Sequence, residues 1–107
     1  MIPYVTKDDF QARVLEAEQP VLIDFTASWC PPCRAVAPEL EKIDAERDDL
    51  DIVKVDVDAD PEIAQRYAIL SMPTFVLLRA GQEVGRFVGA APKAKLLAQI
   101  DPVLAAA

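Results

Sequence analysis

Cys30 and Cys33, the only cysteines in the chain, stand three positions apart in Trp29-Cys30-Pro31-Pro32-Cys33. They follow an apolar, strand-like run and open a helix-like one. That placement suits a dithiol that cycles with a disulfide. A sulfur near a helix N-terminus meets backbone N–H groups and the positive end of the helix dipole, which favour thiolate over thiol. The second sulfur, one turn on, lies on the same helical face and within reach. The thiolate is the reactive species, so the pair supplies a nucleophile and its resolving partner.

The same two cysteines admit other readings. Structural zinc wants four Cys or His ligands. The chain has no histidine and no third cysteine, so only a bridged dimer or carboxylates could complete the shell, and no metal site is expected. A static disulfide this short closes a tiny loop and gains little chain entropy. Two unrelated buried thiols would not call for two prolines that fix the backbone between them. Redox use is the reading these residues favour. The missing histidine also excludes Ser-His-Asp and Cys-His catalysis, and three glycines form no phosphate loop.

Further residues carry potential chemistry. Asp24 interrupts the apolar run 21–25; a strand buried on both faces solvates a carboxylate poorly and raises its pKa. Its alternative is a bond to local backbone or a water pocket. Lys54 lies mid-strand among valines, where an ordinary lysine snorkels to solvent. Arg34 puts a cation near the cysteines, more as a solvated side chain than as an aid to the thiolate. Trp29 is expected to offer an apolar contact surface beside the sulfurs as well as to pack. Gly89 either admits a substrate backbone or is an ordinary turn glycine.

The elements that must position these groups follow from periodicity. Residues 4–6 read as a short edge strand. Thr6-x-x-Asp9 resembles a capping box, and Phe10, Val14 and Ala17 give a helical stripe. Residues 21–25 form a near-continuous apolar strand, as in a sheet covered on both faces. A helix is expected over 32–47, with Val36, Leu40 and Ile43 at core spacing and a kink at Pro38, which cannot bond the Arg34 carbonyl. Residues 52–57 make the next strand. Asp60-Pro61 reads as an N-cap with proline at the first helical position, opening a helix to Tyr67. Strands 74–78 and 83–88 flank a hairpin at Ala80-Gly81. Pro92 opens a last helix whose stripe is Leu96, Leu97, Ile100, Val103 and Leu104, with its final turn bent or broken at Pro102. The order β-α-β-α-β-α-β-β-α implies a mixed sheet between helical layers.

Length and composition agree with one domain over residues 1–107. The chain is 52% hydrophobic, enough to fold, and no apolar run approaches the ~18 residues of a membrane span. Residues 1–6 show no basic region followed by an apolar stretch, so a cytoplasmic protein is expected, in a compartment where dithiols are catalytic rather than structural; a monomer is expected as well. The net charge is −7. It is concentrated in residues 44–62, where nine acids (44, 46, 48, 49, 51, 56, 58, 60, 62) face two bases, Arg47 and Lys54. Nucleic acid and anionic membrane are poor partners for such a surface. The window is either a dock for a basic partner or a solvated helix end and loop, the blander reading being the stronger. No repeat or low-complexity linker is visible beyond the alanine tail at 105–107.

Taken together, the spaced motifs resemble the thioredoxin family over about 4–104. Asp24-Phe25-Thr26-Ala27-Ser28-Trp29-Cys30-Pro31-Pro32-Cys33 is similar to its active-site segment, Pro38 to its helix-kinking proline and Lys54-x-Asp56-x-Asp58 to its third strand and following loop. Met72-Pro73-Thr74 is similar to its cis-proline segment, and Gly81 and Gly89 to its late glycines. Two positions depart from the pattern. Pro31 stands where the family usually has glycine, and Thr26 where it has an aromatic residue; both bear on redox potential and partner range rather than on fold.

The resemblance implies an α/β thioredoxin fold with a central mixed five-stranded sheet flanked by four helices. It implies a protein-disulfide reductase with a Cys-Pro-Pro-Cys site, recharged by a thioredoxin reductase and needing no cofactor beyond the Cys30–Cys33 disulfide. Cys30 would attack a substrate disulfide and Cys33 would resolve the intermediate. Asp24 would take the Cys33 proton, with Lys54 as its partner. A cis Met72–Pro73 bond would aim the Met72 backbone at an extended substrate, and Pro73 would keep metal from the thiols; Trp29, Pro31, Pro32 and Gly89 would complete the substrate surface. The competing functions are a thiol oxidant or isomerase, a redox-indifferent binding module on the same fold, and a dimer holding zinc or an iron–sulfur cluster between two Cys-x-x-Cys sites.

Overall fold

In the computed structural model, which describes residues 1–106, every position of strand β1 (Val21–Thr26) is buried. The sheet puts β1 between a parallel neighbour, β2 (Asp51–Asp56), and an antiparallel one, β3 (Thr74–Arg79), with β4 (Gln82–Val88) outermost, in the order β2-β1-β3-β4. Helix α1 (Pro31–Glu46) follows β1, α2 (Pro61–Arg66) follows β2, and α3 (Lys93–Ala105) closes the chain. A π-helical turn at Gln11–Leu15 precedes them, closed by the Glu16 N–H on the Gln11 carbonyl at 2.9 Å. Among the described residues four helical segments therefore flank a mixed sheet. Ala107, the end of the alanine tail and of the expected domain span, lies outside the described residues.

Alternation along β1 divides the core into two layers. Leu22 faces Val36, Leu40 and Ile43 of α1 and Leu96 and Ile100 of α3. Val21, Ile23 and Phe25 face Phe10, Val14 and Ile63 on the other side. Asp24 shares the face of Leu22 and so turns toward α1, where the cysteines are.

Among the described residues the sheet has four strands rather than the expected five. Tyr4 makes a single parallel bridge to Lys54 and no ladder. The Lys54 N–H donates to the Pro3 carbonyl at 2.9 Å, and the Val5 N–H to the Lys54 carbonyl at 2.8 Å. Pairing cannot extend in either direction. Pro3 has no N–H to give, and the Lys7 N–H, the next donor on that edge, is taken by Asp60 Oδ1 at 3.0 Å. The capping motif holds in part: Asp9 Oδ1 accepts the Thr6 N–H at 2.7 Å, but the Thr6 hydroxyl accepts from the Asp8 N–H rather than from that of Asp9.

Two further expectations change. Asp60 occupies the N-cap position of α2, but its side chain makes no cap bond; Oδ1 instead accepts the Lys7 N–H at 3.0 Å, tying the N-terminal segment to this loop. Helix α3 runs through Pro102 to Ala105 without breaking. Arg79 serves its open end, donating to the carbonyls of Leu104 at 2.6 Å and Ala106 at 2.8 Å, acceptors that no helical N–H would fill. Helix α1 likewise continues past Pro38. The Ala80-Gly81 hairpin has positive φ at both positions, 52° and 78°, the twist of a primed turn.

Candidate active site

Cys30 is the N-cap of α1, in extended conformation, with Pro31 and Pro32 at the first two helical positions. Neither proline has an N–H, so the helix start offers few of its usual free donors. The Cys33 N–H remains, and it donates to Cys30 Sγ at 3.3 Å. The two sulfurs form a disulfide across a Cα–Cα distance of 5.3 Å. Both cysteines are almost fully buried.

The sulfurs face different surroundings. Cys30 Sγ lies 3.7 Å from the Met72 carbonyl oxygen, and the Met72–Pro73 bond is cis. The Gly89 N–H donates to the Pro73 carbonyl at 2.9 Å, which fastens the end of β4 to this segment. Gly89 has a φ of +96°, and a Cβ there would meet no atom within 4 Å; the backbone is open to the outside at that point. Cys33 instead lines a cavity of ≈ 100 Å³ with Asp24, Thr26, Arg34 and Lys54, walled by Tyr4. The Arg34 guanidinium is held by the Ser28 carbonyl at 2.9 Å.

Asp24 is 1% exposed, and among the described residues its Oδ1 has no hydrogen-bond partner. Burial pushes its carboxyl up to about 7, against a smaller opposing pull from the Lys54 charge. Lys54 is its cross-strand neighbour in the β1–β2 register. The expected direct pair is not formed: among the described residues no ion pair joins the two, and the Lys54 ammonium lies over the Tyr4 ring, 5.5 Å from its centroid.

Trp29 is 62% exposed, so core packing does not account for it. Its Nε1–H donates to Asp58 Oδ2 at 2.8 Å, and Asp58 follows β2 in a turn organised by Asp56, whose Oδ1 accepts the Asp58 N–H at 2.9 Å. Sequence reasoning placed Asp58 in a motif and missed this contact. Several acids of the 44–62 window thus have internal work: Asp56 and Asp58 here, Asp60 on Lys7, and Asp49 with Arg47, which also holds Asp101 at 2.8 Å.

A buried disulfide at a helix N-terminus, a cis-proline segment against one sulfur and a buried carboxylate on the cavity of the other match the sequence resemblance. The thioredoxin family model covers residues 1–102. The chain belongs to the thioredoxin family. It is 48% identical over 101 residues to a thioredoxin of Mycobacterium tuberculosis (strain ATCC 25618 / H37Rv), covering 94% of this chain and 87% of that one. It is 47% identical over 93 residues to a thioredoxin of Streptomyces clavuligerus, covering 87% of each. A bifunctional thioredoxin reductase/thioredoxin of Mycobacterium leprae (strain TN) is 48% identical over 101 residues, 94% of this chain and 22% of that protein. The chain is a thioredoxin-like disulfide reductase, a thiol–disulfide oxidoreductase by reaction class. Among the described residues no helix is long and apolar enough to cross a membrane.

Proposed function

We propose that Cys30 is the attacking sulfur and Cys33 the resolving one in a Cys-Pro-Pro-Cys thioredoxin. The observation that carries this is the division of surroundings. Cys30 lies at the helix N-cap against the Met72 carbonyl, and Cys33 opens on the Asp24 cavity. In the reduced protein the Cys30 thiolate attacks one sulfur of a substrate disulfide. The substrate S–S bond breaks, a mixed disulfide forms and one substrate thiolate leaves. Cys33 gives its proton to the Asp24 carboxylate, and its sulfur attacks Cys30. The Cys30–Cys33 bond forms and the second substrate thiolate leaves, taking up a proton. Two electrons pass from the pair to the substrate.

The backbone of Met72, with Pro73 and Gly89 beside it, receives an extended substrate segment in strand-like fashion, and Trp29, Pro31 and Pro32 bound the apolar surface. Lys54 acts on Asp24 through its charge. The domain works as a monomer with no cofactor beyond its own disulfide, in a reducing compartment such as the cytoplasm, where a dithiol is maintained. Its net charge of −7 disfavours nucleic acid and anionic membrane. A thioredoxin reductase recharges it; the fused name of the Mycobacterium leprae relative supports that pairing.

The test is a redox titration followed by Trp29 fluorescence, with Cys30→Ser and Cys33→Ser alongside. A potential near or below about −270 mV, the reference value for the family, with Cys33→Ser trapping a mixed disulfide and Cys30→Ser forming none, supports the reading. A potential at or above about −180 mV moves the role to oxidation or isomerisation.

A further inference from the structure

Tyr4 is 57% exposed and outside the sheet proper, yet three observations join it to the site. Its backbone bridges Lys54. Its ring lies 5.5 Å from the Lys54 ammonium. Its side chain walls the cavity that Asp24, Lys54 and Cys33 also line. Lys54 and Asp24 are cross-strand neighbours, and among the described residues Asp24 Oδ1 is a buried acceptor without a hydrogen-bond partner. A lysine so placed has an ion pair within the sweep of its side chain, but the ammonium rests on the aromatic face, the geometry of a cation–π contact.

We propose that Tyr4 is a positioning residue for the proton step: its ring holds the Lys54 ammonium at the solvent side of the Asp24 cavity and keeps it out of a direct ion pair with Asp24. The consequence is chemical. A carboxylate closed into an ion pair is a poor proton acceptor, whereas one influenced only at a distance keeps its affinity for the proton of Cys33. The other groups facing Asp24 do not duplicate this control. Arg34, from α1, is tied to the Ser28 carbonyl. Phe75, opposite Asp24 on β3, carries no charge. Cys33 is silent while oxidised, and Thr26 and Ser28 on the cavity wall bring only uncharged hydroxyls.

This inference rests on the proton role given to Asp24 above, so its test reads the carboxyl directly. Asp24 is titrated by carbon-13 NMR in the oxidised protein, where no thiol titrates. Tyr4→Leu keeps apolar cover but removes the ring face; the freed ammonium then approaches Asp24. The midpoint is expected to fall by about half a pH unit, the size of an exposed cation–π contact expressed as a titration shift. Tyr4→Phe is expected to retain the wild-type midpoint. In a Lys54→Met background Tyr4→Leu is expected to have no effect, since the ring would have no ammonium to hold. Tyr4→Met replaces Tyr4→Leu if that variant does not fold. An unmoved or raised midpoint, or an equal fall without Lys54, overturns the proposal. Turnover of Asp24→Asn, measured separately, decides the proton role itself, so the two failures are distinguishable.

Discussion

The Cys33 N–H donates to Cys30 Sγ across 3.3 Å, and the two helical positions between them are prolines with no N–H of their own. A thiolate at Cys30 therefore draws on a reduced set of donors from the first helical turn, while the prolines hold the loop ready for ring closure. Both effects favour the disulfide. Pro31→Gly restores a donor and loosens the loop, and its potential should be less negative by about 30 mV, equivalent to about 1.4 kcal/mol. Equilibration of both proteins with a common dithiol buffer at one pH measures this. A Pro31→Gly protein that is the stronger reductant contradicts the argument.

Asp24 makes stability depend on pH. Its folded-state value of about 7 lies above the unfolded value of 3.8, so the folded protein holds a proton that the unfolded chain releases. The stabilisation that Asp24 contributes is full below about pH 4, declines as pH rises toward 7, and levels off above it. The shift corresponds to a loss of about 4 kcal/mol across that window. Urea unfolding at pH 5 and pH 8 should show most of it, and Asp24→Asn should be the more stable protein at pH 8 while turning over more slowly. If the Asp24→Asn protein keeps the same pH slope, another group carries it.

Much of this was legible in the sequence because it rests on local chemistry. A near-continuous apolar run marks β1, helical spacing marks Val36, Leu40 and Ile43, and Ala80-Gly81 marks the hairpin of β3 and β4. The departures come where a distant group takes over a local bond. Tyr4 stops at one bridge because Pro3 has no N–H and Asp60 claims that of Lys7. Asp60 leaves its cap for Lys7, 53 positions away. Helix α3 passes Pro102 with its end held by Arg79, a residue with no helical signature. At the site, Cys30, Cys33 and Asp24 could be named from type and spacing, whereas the Lys54 contact with Tyr4 and the Trp29 contact with Asp58 depend on how separate segments meet.

Trp29 is held at the surface by Asp58. Freeing the indole should leave the fold within about 0.5 kcal/mol of wild type, as for other exposed changes. It should cost substrate affinity, because a loose ring must be ordered on binding. Asp58→Ala is expected to raise KM for a disulfide-bonded protein about two- to tenfold, the worth of one hydrogen bond, with kcat little changed. A fall in kcat at constant KM would point to a role in the exchange chemistry instead.

Gly89 and Gly81 give a matched pair for locating the substrate. Both have positive φ, 96° and 78°, so alanine at either position should cost about 1–2 kcal/mol of backbone strain. Their surroundings differ. A Cβ at Gly81 would meet the Leu15 carbonyl oxygen at 3.0 Å, remote from the cysteines, whereas one at Gly89 would enter open space beside the Pro73 carbonyl that its own N–H binds. Gly81→Ala should therefore lose at least as much stability in thermal melts yet keep KM for a protein disulfide. Gly89→Ala should raise KM several-fold at temperatures where both variants are folded, because its methyl group occupies the path of the substrate backbone. Equal KM values for the two variants would mean that the substrate strand runs elsewhere, and that Gly89 is present only for the turn that its φ requires.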